Sequence, residues 1–272
     1  MHPVSFRLFP LLLLLTLPAT MSRAAPPCPG NPDALGTERV IAVDVRETPR
    51  VGRKHFPQTL PLRPKELVLT FDDGPEPGST PRVLAALKHE CVKASFFLLG
   101  RSAAAHPDLA RRELDDGHTV AHHSFAHPLL NRMSVPAAEA EIDRGFAAVD
   151  AATYGKVSAA PTTPFFRFPG FASSPALLER LERRGIVVFG ADLWASDWNR
   201  MTPDQEFNLV LQRIEATRGG IVLFHDTKQQ TAAMLPGLLR ALKMRGYQVV
   251  HVVPPPRPPK SAQGMSEQAL SE

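Results

Sequence analysis

The chain has 272 residues, 43% hydrophobic and 21% charged, with a formal charge of +4 at neutral pH and two cysteines. That length suits one large domain with an ample core. Removing residues 1–24 would take away two arginines and no acid, lowering the charge from +4 to +2, so the basic balance gives little reason to expect a polyanionic partner.

The first 24 residues read as a secretory signal: Arg7 is the basic flank, Leu11 to Leu15 with Leu17 form the apolar core, and Ser22-Arg23-Ala24 offers a small-residue cleavage site. Pro10 and Pro18 break the apolar stretch, which is shorter than the roughly 20 residues of a membrane span. The expected location is therefore outside the cytoplasm, periplasmic or extracellular, with no stable membrane span after cleavage. Residues 25–64 are rich in Pro and turn formers with one β-like run, Arg39 to Val43, and read as an extension laid on the main domain. Arg50, Arg53, Lys54, Arg63 and Lys65 make a modest basic stretch. No zinc finger, helix-turn-helix or aromatic RNA motif accompanies it, so it reads as solvated surface and nucleic acid is disfavoured as a partner.

From Glu66 a strand–helix rhythm begins. Apolar strand-like runs occur at 67–71, 93–99, 117–122, 186–191, 220–225 and 247–253. Thr80-Pro81, Ser174-Pro175 and Thr202-Pro203 each read as an N-cap followed by Pro at the first helical position, and Gln205 completes a capping box with Thr202. Ile142, Phe146 and Val149 share one helical face, as do Phe207, Val210, Leu211 and Ile214, and again Leu235, Leu238, Leu239 and Leu242. Gly185 and Gly246 sit where helix-ending glycines belong. The alternation predicts an α/β fold with a largely parallel sheet, open or closed as a barrel. The tail from Pro254 to residue 272 is Pro-rich and then polar, and is expected to be disordered. Cys28 and Cys91 can pair in an exported chain; a buried free thiol at Cys91 is the competing reading, and sequence alone leaves the choice open.

Five polar sets follow strand-like runs. The run Val68 to Phe71 ends in Asp72-Asp73-Gly74-Pro75, two adjacent acids at a strand's carboxyl end. His122-His123-Ser124-Phe125-Ala126-His127-Pro128 follows the run ending at Ala121. His123 and His127 are four apart and can be aimed at one cation, whereas the adjacent His122 points elsewhere and reads as structural. Ser124 stands where a zincin would need Glu, so this is not a metalloprotease helix. Two His with one Asp suit zinc with an open position, and equally the two-His-one-carboxylate triad of iron oxygenases. Strand–helix alternation argues against the all-β scaffold associated with the latter. Arg167 lies inside the apolar, Pro-bounded run Pro164-Phe165-Phe166-Arg167-Phe168-Pro169-Gly170-Phe171 and needs a carboxylate partner if buried. Asp192 to Trp198 and the strand ending His225-Asp226 complete the set.

With these residues in order, the chain from about 65 to 253 resembles the polysaccharide deacetylases, the NodB-homology domains of carbohydrate esterase family 4. The resemblance rests on T-F-D-D-G-P at 70–75, H-S-x-x-H-P at 123–128, R-x-P-G at 167–170, D-W at 197–198 and L-x-H-D at 223–226. It implies a distorted (β/α) barrel with Asp73, His123 and His127 as ligands of a divalent metal, zinc first, with cobalt or nickel also suited. It further implies Asp72 as general base oriented by Arg167, and His225 as general acid tuned by Asp197. Trp198 and Leu223 would line the acetyl pocket, and the Gly170 N–H would meet the oxyanion. Gly170 stands where many members carry Tyr, which costs an aromatic wall. The implied activity is hydrolysis of N-acetyl groups on an N-acetylglucosamine-containing glycan of chitooligosaccharide or peptidoglycan type, releasing acetate. An O-acetyl esterase acting on xylan, and a non-catalytic glycan-binding protein, are the alternatives.

Overall fold

Residues 28–157 and 160–256 are described by a computed structural model of the protein. The expected signal over residues 1–24, and the tail from residue 257 onward, lie outside the described residues.

Among the described residues there are ten strands: β1 (Arg39–Ala42), β2 (Arg50–Val51), β3 (Glu66–Asp72), β4 (Ser95–Leu98), β5 (Thr119–His122), β6 (Phe165–Phe166), β7 (Val187–Phe189), β8 (Leu193–Trp194), β9 (Gly220–His225) and β10 (Gln248–Val253). Their pairings are all parallel. The helices between them are α1 (Thr80–His89), α2 (Gly100–Ala105), α3 (Pro107–Asp115), α4 (Val135–Tyr154), α5 (Pro175–Arg183), α6 (Pro203–Thr217) and α7 (Gln229–Met244). This is the expected distorted (β/α) barrel.

The apolar run before the twin aspartates becomes the hub. All seven residues of β3 are buried, as a parallel strand covered on both faces requires. It pairs with β9 from Leu67 to Asp72, which sets His225 beside Asp72, and with β4 from Thr70 to Asp72. β4 carries on to β5, β6 and β7, while β8 lies on the far side of β9. No ladder joins β7 directly to β8 among the described residues, so the barrel is open there. The predicted helical faces supply its packing: Val210, Leu211 and Ile214 of α6 and Leu235, Leu238, Leu239 and Leu242 of α7 join one core with Leu69, Phe71 and Phe224.

The punctuation behaves as expected at two of three helix starts. Ser174 and Thr202 cap α5 and α6, Thr202 in a full capping box with Gln205. At α1 the reading is corrected. Ser79 occupies the N-cap position, and the Thr80 hydroxyl instead accepts the Glu76 N–H and donates to the Asp226 carboxylate. A buried acid nearby outcompetes the cap. Sequence reading also missed the short strands β2, β6 and β8, since two residues show no periodicity.

The segment before β3 joins the sheet at both ends. β1 pairs with β10 and β2 pairs with β7. Cys28 and Cys91 form a disulfide, which closes the question their spacing left open. Arg39 grips the fully buried Glu66 through two contacts, 2.8 and 2.7 Å. After β2 the chain turns at Gly52, whose φ of +110° suits glycine and whose Cβ position would be 2.5 Å from the Ala191 N. That close approach lays residues 53–59 against the β7–β8 connection. Asp192 fastens them there, accepting from the Arg53 N–H at 2.8 Å and the Thr59 hydroxyl at 2.7 Å while also taking the Ile221 N–H of β9 at 2.8 Å.

Candidate active site

Every motif identified in the sequence reaches the carboxyl end of the barrel. Asp72 closes β3 and His225 closes β9; Arg167 follows β6, His123 follows β5, and Asp197 lies three residues beyond β8. Their side chains meet in one cleft of about 390 Å³, lined by Asp72, Asp73, His123, His127, Gly170, Trp198, Leu223 and His225.

The adjacent aspartates are separated by backbone conformation. Asp72 is extended at the strand end, whereas Asp73 has a φ of +77°, in the left-handed region. Asp72 Oδ1 accepts from Arg167 Nη1 at 2.7 Å. Arg167 is fully buried and spends its other donors on Thr70 Oγ1 at 2.9 Å and the Gly190 carbonyl at 2.9 Å, with its guanidinium carbon 4.2 Å from the Phe97 ring centroid. The carboxylate partner that a buried arginine requires is therefore Asp72. Burial pushes the Asp72 carboxyl up from its ordinary value, and the Arg167 charge opposes that rise. Ser124, His127, Phe171 and Ser196 also have positive φ, so five of the eight such non-glycine residues lie around this site. Strained backbone concentrates where side chains must be aimed.

Asp73 faces the histidines. Its Oδ1 lies 3.6 Å from both His123 Nε2 and His127 Nε2, and one ligand atom from each of the three residues falls within 4.8 Å of the others. Two ligands about 2.1 Å from a tetrahedral ion lie roughly 3.4 Å apart, so the spacing fits a small divalent cation. Asp73 Oδ1 is buried without a hydrogen-bond partner, as a carboxylate oxygen awaiting a cation would be. His123 Nδ1 is 2.8 Å from the Arg167 carbonyl, which makes Nδ1 the donor and leaves the Nε2 lone pair facing the cluster. Burial takes His123 down to about 3, the neutral form that ligation needs. His122 turns away, edge-on to Phe146 and buried, as expected of a structural residue.

Opposite the cluster stands His225. Its Nδ1 is 2.7 Å from Asp197 Oδ1, and its backbone N–H donates to Asp197 Oδ2 at 2.6 Å. Burial acts to lower the imidazole's pKa; the Asp197 hydrogen bond and the charges of Asp197, Asp72 and Asp73 overcome it and raise the value to about 9. These contacts favour the protonated ring, whose Nε2 turns to the cleft, 3.8 Å from Asp73 Oδ2. Trp198 stands perpendicular to its ring at 5.9 Å, and buried Leu223 lines the floor.

The aromatic wall that Gly170 forgoes is rebuilt from His55, Phe171 and Trp194, to which sequence reasoning gave no role, together with the expected Trp198. Phe171 stacks on His55 with centroids 3.7 Å apart, Trp194 lies 6.3 Å beyond Phe171, and Trp198 a further 6.1 Å along. His55 comes from the segment before β3. Burial, then the nearby Arg167 and Lys54 charges, bring it down to about 4, so it is a neutral ring at neutral pH. Its only sequence signal was an aromatic pair, His55-Phe56, within a basic, turn-rich stretch.

Comparison with known proteins agrees with this geometry. The family described as polysaccharide deacetylase matches residues 60–189. A peptidoglycan-N-acetylglucosamine deacetylase of Listeria monocytogenes is 36% identical over 188 residues, covering 69% of this chain and 38% of its own length. A chitooligosaccharide deacetylase of Rhizobium leguminosarum is 32% identical over 198 residues, covering 67% of this chain and 88% of its own. A solved peptidoglycan deacetylase of Bdellovibrio bacteriovorus superposes with a TM-score of 0.71 at 30% identity, covering 89% of this chain and 63% of that one. The chain therefore spans little more than a third of the Listeria relative, while the Rhizobium enzyme matches it over nearly its whole length. On that match, and on the five motifs gathered at one barrel end, the chain belongs to the polysaccharide deacetylase family.

Proposed function

We propose that this chain is an exported, metal-dependent N-deacetylase of a glycan containing N-acetylglucosamine, of chitooligosaccharide or peptidoglycan type. The observation that carries this reading is one cleft holding an arginine-paired aspartate, an Asp-His-His cluster and an aspartate-bound imidazole. The Cys28–Cys91 disulfide supports export, because such bonds persist in oxidising compartments.

A divalent cation, zinc in the first instance, would be held by Asp73, His123 and His127, and when bound it polarises a carbonyl and acidifies a water. Asp72 takes the proton from the water that attacks the acetamide carbon. Its burial makes it a stronger base than an exposed aspartate, and Arg167 fixes the oxygen not used as base. The oxyanion that forms develops beside the Gly170 N–H. His225 then gives its Nε2 proton to the glucosamine nitrogen as the carbon–nitrogen bond breaks, leaving acetate and a free amine. Without that proton the leaving group would be an amide anion, so the acid is as necessary as the base.

Asp72→Asn tests the assignment. Acetate release should fall at least about 100-fold, while zinc content measured on the purified variant stays at the wild-type level. Near-normal release from Asp72→Asn would remove Asp72 as the base.

A further inference from the structure

Behind His225 and its partner Asp197 lie two buried polar groups, Thr231 and Glu206, that the proposed reaction does not use. Asp197 Oδ2, already accepting the His225 N–H, is 2.9 Å from the Thr231 hydroxyl. The same hydroxyl is 2.8 Å from Glu206 Oε1. Thr231 lies in α7 and Glu206 in the first turns of α6, and both are fully buried.

A hydroxyl has one proton to give. If Thr231 gives it to Glu206, the Thr231 and Asp197 oxygens face each other at 2.9 Å with no proton between them, and two anions lie buried one hydroxyl apart. If Thr231 gives it to Asp197, Glu206 must donate to Thr231, and every short contact then contains a proton. Both Asp197 oxygens already serve as acceptors, Oδ1 toward the His225 ring and Oδ2 toward the His225 backbone N–H, so the extra proton belongs on Glu206. Glu206 Oε2 is buried and has no hydrogen-bond partner, a small cost for a neutral carboxyl and a large one for a carboxylate. The positive end of α6 would favour charge on Glu206, yet burial, with the Asp197 charge, outweighs the opposing contacts with Thr231 and His225 and raises its pKa to about 7.

We propose that Glu206 keeps its proton and donates it to Thr231, which in turn donates to Asp197, making Glu206 and Thr231 positioning residues for the proton donor His225. The chain of donors fixes the second oxygen of Asp197, so that the first can hold the His225 ring with Nε2 toward the cleft. The role rests on the proposed deacetylation, but the hydrogen-bond order does not.

The test compares Glu206→Gln, Glu206→Leu and Thr231→Val in the full-length, zinc-loaded protein. Steady-state acetate release from N-acetylchitooligosaccharides is read together with the proton NMR resonance of the His225 Nδ1–H. Gln keeps a donor toward Thr231, so Glu206→Gln should hold kcat within about twofold and leave the resonance in place. Glu206→Leu and Thr231→Val should each lower kcat roughly tenfold with KM unchanged, as a displaced catalytic group does, and shift the resonance. The double variant should lose no more than either single one, because both cut one chain. Equal losses in Glu206→Gln and Glu206→Leu would overturn the proposal, since a charge rather than a proton would then be required. Unchanged kcat and resonance in Glu206→Leu and Thr231→Val would overturn it as well. If Glu206→Leu does not fold, the near-isosteric Thr231→Val decides alone. A wild-type protein that releases no acetate would refute the reaction, and the resonance would still test the proton order.

Discussion

Asp72 and Asp73 are neighbours in sequence but answer to different partners, a guanidinium at 2.7 Å and a pair of imidazoles at 3.6 Å. A change from extended to left-handed backbone between them turns one repulsive pair into two compensated sites. This much was legible from residue types, because acids at a strand end, paired histidines and a buried arginine have few satisfying arrangements. His225 carries the clearest consequence. Its value of about 9 lies above the ordinary 6.5, so its proton stabilises the fold fully below pH 6.5, and that contribution is lost as pH rises through 9. A cation on Asp73 offsets part of the rise. In Asp197→Asn the partner charge is gone, and only the Asp72 and Asp73 charges are left to oppose burial. The basic limb of the kcat/KM profile should move down by about 2 units relative to wild type, and the stability gap between the two proteins should close above pH 9. An unmoved basic limb would mean that His225 is not the acid.

At the scale of elements, the unexpected contribution is the loop between β2 and β3. Gly52 permits its approach and Asp192 clamps it, and the result is His55 stacked on Phe171 at the edge of the cleft. Nothing in the spacing of His55 announced this, since a stacking partner more than a hundred residues away leaves no periodic trace. The strand ends, by contrast, were legible because each closes an apolar run. A sugar ring seated against this wall would gain about 1 kcal/mol, the scale of an aromatic pair. His55→Ala should therefore raise KM for chitooligosaccharides roughly fivefold while leaving kcat within about twofold. A loss confined to kcat would place His55 in the chemistry instead of the binding.

For the whole molecule, the segment before β3 works as a strap. It is tied at Cys28–Cys91, paired with β10 through β1, and paired with β7 through β2. The sequence suggested an extension laid on a domain, and its Pro-rich composition hid how deeply it enters the sheet. Closing a loop over a separation of 63 residues restricts the unfolded chain by about 4 kcal/mol in the entropic model. Replacing both cysteines by serine should lower the unfolding free energy, measured in urea, by about that amount, and a change under about 1 kcal/mol would show that the strap is held by its strands alone. The claim that joins all three scales is that one metal-dependent cleft cleaves acetamides. Acetate release from N-acetylchitooligosaccharides, peptidoglycan and acetylated xylan, before chelation, after chelation and after zinc is returned, tests it most directly. The account predicts release from an N-acetylated glycan that chelation abolishes and zinc restores; no release at any metal loading, or release indifferent to the chelator, would contradict it.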